Sequence, residues 1–235
     1  MISKSKWLAG ALVATVLAAP AQAQWRATAL GVAEYDTEGA LFLLAGLSTS
    51  PGGRGVSPIL GVQGYHVGFD NGVSRTNVFA VKPYVGLSNG YGTGSLYGTV
   101  GYAFSNRDEG SRIVTTSTND VGTGVVVSGG WDHWGSGEGF GHQLLASYNF
   151  DSENFWGRGR MTKRISPSGP AQRRLGAELA LSAGDNYTAW QPGAILELHN
   201  GRGGILGLGA GLKLIDGVSD KPVYFKIEGV LPIAR

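Results

Sequence analysis

Apolar side chains occupy every second position along most of this chain, and small or polar residues stand between them. The clearest case runs from Leu206 to Leu214, with leucine or alanine at the even positions and glycine or Lys213 at the odd ones. Successive side chains of a β-strand point to opposite faces of the sheet. The run therefore predicts a strand with one apolar face and one small or polar face.

The same alternation predicts twelve strands in all. In each segment the apolar side chains share one parity, and the polar or small side chains share the other. The predicted strands cover residues 26–35, 39–49, 57–68, 79–88, 95–105, 121–132, 140–150, 155–164, 174–182, 190–199, 206–214 and 223–228. The first three alternate less cleanly. Leu41 to Ala45 is apolar on both faces, which suits either a small barrel or the core strand of a soluble protein.

Turn signals separate these segments. Sequences such as Asn200-Gly201 and Asp216-Gly217 favour tight turns, and Ser88-Asn89-Gly90 is interpreted in the same way. Short gaps between successive strands predict neighbours joined as an antiparallel meander. The longest polar connections, 106–119 and 166–173, follow the fifth and the eighth predicted strands. In an antiparallel meander of twelve strands they would lie at opposite ends of the sheet, whereas a miscounted strand would put them at the same end. Ten strands therefore stays open as an alternative to twelve.

Residues 1–23 have the composition of a cleavable signal peptide. Two lysines precede an apolar stretch from Trp7 to Ala19, and Ala21-Gln22-Ala23 has the small-x-small form of a cleavage site. The apolar stretch is short for a membrane-spanning helix. We predict export of the chain, with residues 24–235 as a single mature domain.

Composition narrows the class of protein. The sequence has 19 basic and 17 acidic residues, and the two lysines of the predicted signal account for that excess. The mature domain is then electrically neutral, and its charge gives no reason to expect nucleic acid as a partner. Charged residues make up 15% of the chain, which is low for a soluble domain, and the absence of cysteine excludes a disulfide scaffold.

Together these features predict an all-β fold, a single up-and-down antiparallel transmembrane β-barrel of a Gram-negative outer membrane. Aromatic residues near the strand ends, among them Trp131, Trp134 and Trp156, suit the girdles of such barrels at the lipid headgroups. The alternative is a soluble periplasmic or secreted barrel that binds a ligand inside, as lipocalins do. A soluble barrel would carry Lys, Glu and Asp on its outer parity, where this chain has Leu, Val, Phe and Ala.

The polar parity of the last strands carries charges of both signs on neighbouring strands. The residues are Arg158, Arg160, Arg164, Arg174, Glu178, Glu197, Lys213, Lys226 and Glu228. Isolated charges in a narrow barrel interior would be costly, whereas interleaved signs can pair. We consider three roles: a structural network that fills the lumen, a constriction that selects permeants by charge, or a site for a specific ligand. Glycines 207, 209 and 211 would leave room for the long side chains.

Catalytic and cofactor motifs are weak, and we expect neither an enzyme nor a metal or cofactor site. The histidines at 66, 133, 142 and 199 show no metal-binding spacing. Ser88-Asn89-Gly90 resembles a fragment of the serine motif of outer-membrane phospholipases, but Val85-Gly86-Leu87 stands where that family carries its base histidine. A serine without a base is not activated.

The mature chain resembles, by pattern, the general class of Gram-negative outer-membrane β-barrels. The stretches Phe155 to Arg160, Arg174 to Glu178 and Tyr187 to Trp190 are also similar to the C-terminal half of barrels associated with bacterial cellulose biosynthesis (the BcsS type). The resemblance implies a structural or transport role, with outer-membrane lipid and the insertion machinery as partners and small solutes or a polysaccharide as permeants. Barrels of this class usually end in an aromatic residue, and this chain departs from that pattern.

Overall fold

The computed structural model describes residues 25–51, 55–70, 75–91, 93–109, 123–134, 139–166, 169, 171–184 and 187–233. The predicted signal peptide, residues 1–23, lies outside these residues. The described chain is all β-strand and turn, and its strands close into one antiparallel barrel. None of the described residues forms a helix long and apolar enough to cross a membrane.

Thirteen strand segments form the barrel wall. In chain order they are β1 Arg26–Asp36, β2 Leu41–Ser50, β3 Gly55–Asp70, β4 Arg75–Tyr91, β5 Gly94–Glu109, β6 Gly124–Trp134, β7 Phe140–Asn149, β8 Asn154–Arg164, β9 Gln172–Gly184, β10 Tyr187–His199, β11 Ile205–Leu212, β12 Leu214–Ile215 and β13 Val223–Pro232. Both β11 and β12 pair with β10 and are separated only by Lys213, so they are two parts of one interrupted strand. The predicted count of twelve strands is confirmed.

Each strand pairs with its neighbour in the chain, and the last strand closes the barrel against the first. Strand β13 lies between β11 and β1, with Ile227 opposite Leu208 on one side and Ala33 on the other. Directly opposed residues of a ladder lie on the same face of the sheet. The faces seen in one strand therefore continue round the whole wall.

The strands on either side of the two longest predicted connections end at opposite mouths of the barrel. We call the end that holds Trp25 and Ile233 the terminal end, and the other the loop end. Strand β8 ends and β9 begins at the terminal end, whereas β5 ends and β6 begins at the loop end. The opposite parity of these connections is thus compatible with twelve strands and does not require a miscount.

The two faces of the wall differ as the alternation predicts. On β11, Leu206, Leu208 and Leu212 are 40–44% exposed and point outward. On the inward parity, Arg160 and Glu178 are each 5% exposed. The interior of the barrel therefore holds Arg160 and Glu178, whereas the leucines of β11 lie on its outer surface.

Some sequence-based details are wrong. Ser88-Asn89-Gly90 is not a turn: it lies inside β4, which continues to Tyr91, because its alternation is stronger than its turn signal. Trp134 and Trp156 lie on the inward parity near the two mouths of the barrel, so they do not belong to an outer girdle. Trp131 does point outward, and its indole N–H donates to the hydroxyl of Tyr91.

The closure between β1 and β13 can be tested by cross-linking. Because the chain has no cysteine, an engineered pair has no background. We expect Ala33→Cys with Ile227→Cys to form an intrachain disulfide, since these residues are directly opposed on the outer face. Gel mobility with and without reductant measures it. The control pair, Ala33→Cys with Val223→Cys, is out of register by four residues, and equal cross-linking of both pairs would contradict the closure.

Candidate functional site

Six charged side chains meet on the inner face of the barrel. Alternate residues of β8, β9, β10 and β13 supply them, and we call them the charge cluster: Arg158, Arg160, Glu178, Glu197, Lys226 and Glu228. Each strand contributes because its inward parity faces the same narrow space. The cluster contains three cations and three carboxylates, so its formal charges cancel.

Arg160 is the centre of the charge cluster. Its guanidinium donates to Glu178 on β9 (Nε to Oε2, 3.0 Å), Glu197 on β10 (Nη1 to Oε1, 2.8 Å) and Glu228 on β13 (Nη1 to Oε1, 2.5 Å). The Arg160 and Glu197 side chains are 2% and 0% exposed. Buried ions of this kind are tolerated when each charge is paired and hydrogen-bonded. One side chain thus binds carboxylates from three other strands.

The remaining cations complete the charge cluster. Arg158 donates to Glu228 (Nη1 to Oε2, 2.9 Å) and to the amide oxygen of Gln143 on β7 (2.6 Å). Lys226 donates to Glu178. The cluster therefore connects β7 to β13 across the inner face, and each of its carboxylates bonds to at least one cation.

Glycines on β11 give the cluster its space. A Cβ atom at Gly207 would lie 2.7 Å from Cγ of Glu228, and one at Gly209 would lie 3.3 Å from Cε of Lys226. The side chains of β13 thus fold across β11 to reach the arginines of β8. A strand with larger inward residues would hold the two halves of the cluster apart.

Lys213, another of the predicted site residues, belongs to a second group of ion pairs outside the charge cluster. Its ammonium lies 2.9 Å from Oε1 of Glu34 and 2.9 Å from Oδ2 of Asp36, both on β1. The sequence did not single out these two acids, because Leu30 and Val32 share their inward parity and conceal the polar face of β1. Lys213 also marks the interruption between β11 and β12.

Arg164 and Arg174 lie near the terminal end and are opposed in the β8–β9 ladder. Arg174 is completely buried, and its guanidinium donates to neutral oxygens, including the Gly139 carbonyl at 2.9 Å and the Thr162 hydroxyl at 3.1 Å. Arg164 donates to the Gly169 carbonyl at 3.2 Å. Arg174 is linked to the charge cluster through Thr162, whose hydroxyl donates to Glu197 at 3.2 Å.

Lys82 lies on the opposite wall, and sequence reasoning did not single it out. It is on the inward parity of β4 and is 7% exposed. Its ammonium lies 3.3 Å from the Ser128 hydroxyl on β6 and 5.8 Å from the centre of the Tyr84 ring. The alternation places Lys82 inside the barrel, but only the structure shows that its contacts within the described residues are to neutral groups.

The residues considered for other chemistry do not assemble into a reactive site. The Ser88 hydroxyl donates to the Ser57 carbonyl at 3.4 Å. His133 and His142 stack with ring centroids 5.4 Å apart on the outward parity. Across the ranges that the structure describes, no three His, Cys, Asp or Glu side chains are grouped so as to hold a metal ion.

Comparisons with known proteins match the chain to solved outer-membrane barrels. It is similar to the β-domain of the Bordetella autotransporter Brka (13% identity, TM-score 0.44), with 88% of this chain and 97% of that one covered. It is also similar to the KdgM porin (8%, 0.47, covering 86% and 97%) and to the translocator domain of the autotransporter NalP from Neisseria meningitidis (10%, 0.46, covering 98% and 95%).

No protein-family profile matches the chain, and neither does any curated protein. The comparisons do not show the resemblance to barrels associated with cellulose biosynthesis, which stays a prediction.

The contribution of Arg160 can be measured by substitution. We expect Arg160→Met to lower the free energy of unfolding by about 3–5 kcal/mol, because it leaves buried carboxylates without their cation. Urea unfolding followed by tryptophan fluorescence measures it. Lys163→Met is the matched control, since this cation of the same strand points outward over the Phe140 ring, and we expect a change within about 0.5 kcal/mol. Equal losses in the two variants would contradict a specific role for the cluster.

Proposed function

We propose that this chain is an outer-membrane barrel of a Gram-negative bacterium with a transport role, and that the charge cluster narrows its lumen to the size of small solutes. The observation that carries the proposal is the outer surface. Each strand round the wall exposes at least one large apolar side chain: Tyr35, Leu43, Val62, Phe79, Phe104, Val127, Leu144, Met161, Leu179, Leu198, Leu208 and Ile227. A continuous apolar band of this kind suits lipid and not water.

The dimensions of the wall support the same proposal. Apart from the interrupted strand, the strands are 10 to 17 residues long, and a tilted strand needs about 9–11 residues to cross the hydrocarbon core. Outward aromatic rings lie towards both ends, with Tyr91 and Phe140 at the terminal end and Tyr35 and Phe150 at the loop end. Rings at both ends suit the two interfaces of a bilayer.

The interior supports passage of small solutes. Eight-stranded barrels are just filled by their side chains, whereas barrels of 16 to 18 strands leave an aqueous channel. Twelve strands lie between these limits, and here the charge cluster occupies one wall of the lumen. We infer that the route for solutes runs between the cluster and the wall formed by β4 to β6, and that the balanced cluster holds the lumen's shape.

Membrane insertion can be tested on the outer face. We expect Ile227→Arg to destabilise the barrel in lipid vesicles by about 2–4 kcal/mol, because the residue lies near the middle of β13 and points outward. Ile233→Arg, just beyond the end of the same strand, is the control, with an expected cost of about 0–1 kcal/mol.

Cell fractionation can contradict the assignment of the chain to the outer membrane. The wild-type chain should require detergent for extraction and show a heat-modifiable band on gels. Recovery of the wild type in the soluble periplasmic fraction, together with equal stability of Ile227→Arg and Ile233→Arg, would contradict the proposal and favour a soluble ligand-binding barrel.

Transport can be tested by single-channel recording in planar bilayers. We expect the wild type to conduct in small steps and Arg158→Ser to conduct in larger ones, because truncation removes a lumenal side chain bonded to Glu228 and Gln143. Arg173→Ser, on the outward parity of β9, should leave the step size unchanged. Bilayers that stay silent with both the wild type and Arg158→Ser would favour a purely structural barrel.

A further inference from the structure

The charge cluster cannot by itself explain a preference for one sign of permeant. Its three cations lie against three carboxylates, with Arg160 bonded to all three of them. When opposite charges lie this close together, their electrostatic potentials cancel farther away. The cluster therefore contributes little net potential to the rest of the lumen. A preference for ions of one sign then has to come from charge that is not compensated.

Arg174, at the terminal end, is one inward cation that donates to neutral oxygens, and Lys82 is another, on the opposite side of the barrel from the charge cluster. Equal numbers of strands separate β4 from β10 in both directions round the closed sheet, so Lys82 faces the wall that carries the cluster. Its side chain crosses β5 above Gly101, where a Cβ atom would lie 3.1 Å from Cγ of Lys82. This close approach directs the ammonium towards Ser128 on β6.

The ammonium of Lys82 keeps donor capacity beyond its contact with Ser128. A lysine has three N–H donors and no acceptor, and the Ser128 oxygen accepts one of them at 3.3 Å. The nearby Tyr84 ring offers its face, 5.8 Å from the nitrogen. Among the described residues, no carboxylate pairs with Lys82.

Three other inward acids have partners elsewhere. Asp132, on the same strand as Ser128, accepts from the backbone N–H and the hydroxyl of Ser95, both at 2.7 Å. Glu34 and Asp36 hold Lys213. Within the part of the chain that the structure describes, the positive charge of Lys82 thus has no carboxylate partner, and a mobile anion can take that place.

We propose that Lys82 and Ser128 form an anion-binding subsite in the lumen, which takes small anions such as halides or short carboxylates. The ammonium supplies the charge and a donor, and the Ser128 hydroxyl can turn its proton towards the anion. If the barrel conducts, the subsite makes it prefer anions to cations; this part rests on the proposed transport role, whereas the binding itself does not.

Binding is tested on the folded barrel in detergent, without any conductance. Potassium gluconate is replaced by potassium bromide at constant ionic strength. A ligand that binds only the folded state raises the Tm. We therefore expect bromide to raise the Tm of the wild type and of Lys82→Arg, and to leave the Tm of Lys82→Met unchanged. Lys163→Met is the control that keeps the lumenal lysine and should respond like the wild type. Equal bromide responses in wild type and Lys82→Met would overturn the subsite.

Selectivity is tested by the reversal potential across a bilayer with a potassium chloride gradient. We expect a wild-type preference for chloride that is reduced in Lys82→Met and kept in Lys82→Arg and Lys163→Met. Channels whose preference is the same in wild type and Lys82→Met would overturn the role of Lys82 while leaving the transport proposal intact. A bromide response without any conductance would support the subsite and contradict transport.

Discussion

The structure depends on one constraint: the barrel wall is a single sheet, so every side chain faces either the outside or a narrow interior. Charges on the inward parity cannot reach bulk water easily, and burial without a partner would be costly. The interior therefore has to provide counter-charges and space together. Arg160 meets three carboxylates from three strands because β11 carries glycine where other strands carry bulk.

The outer surface follows from the same constraint. Once the polar side chains are committed to the interior, the remaining parity can be uniformly apolar, as on β11 and β13. Such a surface is unfavourable in water and favourable in hydrocarbon. In the described part of the chain, the interior thus combines charged side chains with apolar ones such as Ile195, and the outward parity is mostly aliphatic with aromatic rings near both ends.

The fold was largely predictable from the sequence, because side-chain period in a strand is a local property. The strands from β6 to β13 lie where alternation predicts them, and twelve is the correct count. Strand ends were less predictable: β4 extends through Ser88-Asn89-Gly90, since ladder pairing with β3 and β5 outweighs a local turn preference. Trp134 and Trp156 were misplaced because proximity to a turn does not specify the face of the sheet.

The site was predictable only as a set of residues. Strand parity places Arg158, Arg160 and Glu178 inside the barrel. The ion pairs between side chains of β8 and β13, however, depend on how far those side chains reach across the curved wall. The separate group of Lys213 with Glu34 and Asp36 depends on closure between the two ends of the chain, which local pattern does not encode. For the same reason, the sequence cannot show that Lys82 has no carboxylate partner among the described residues.

The position of Glu228 on β13 has a consequence for assembly. Arg158 and Arg160 are on β8, yet part of their counter-charge arrives on the final strand of the barrel. Until β13 docks between β11 and β1, Arg158 and Arg160 lack their hydrogen bonds to Glu228, although Glu178 and Glu197 already balance their formal charges. Completion of the interior is thereby coupled to seam closure, because an unsealed intermediate leaves donors of these two guanidiniums without the acceptors that the finished cylinder supplies.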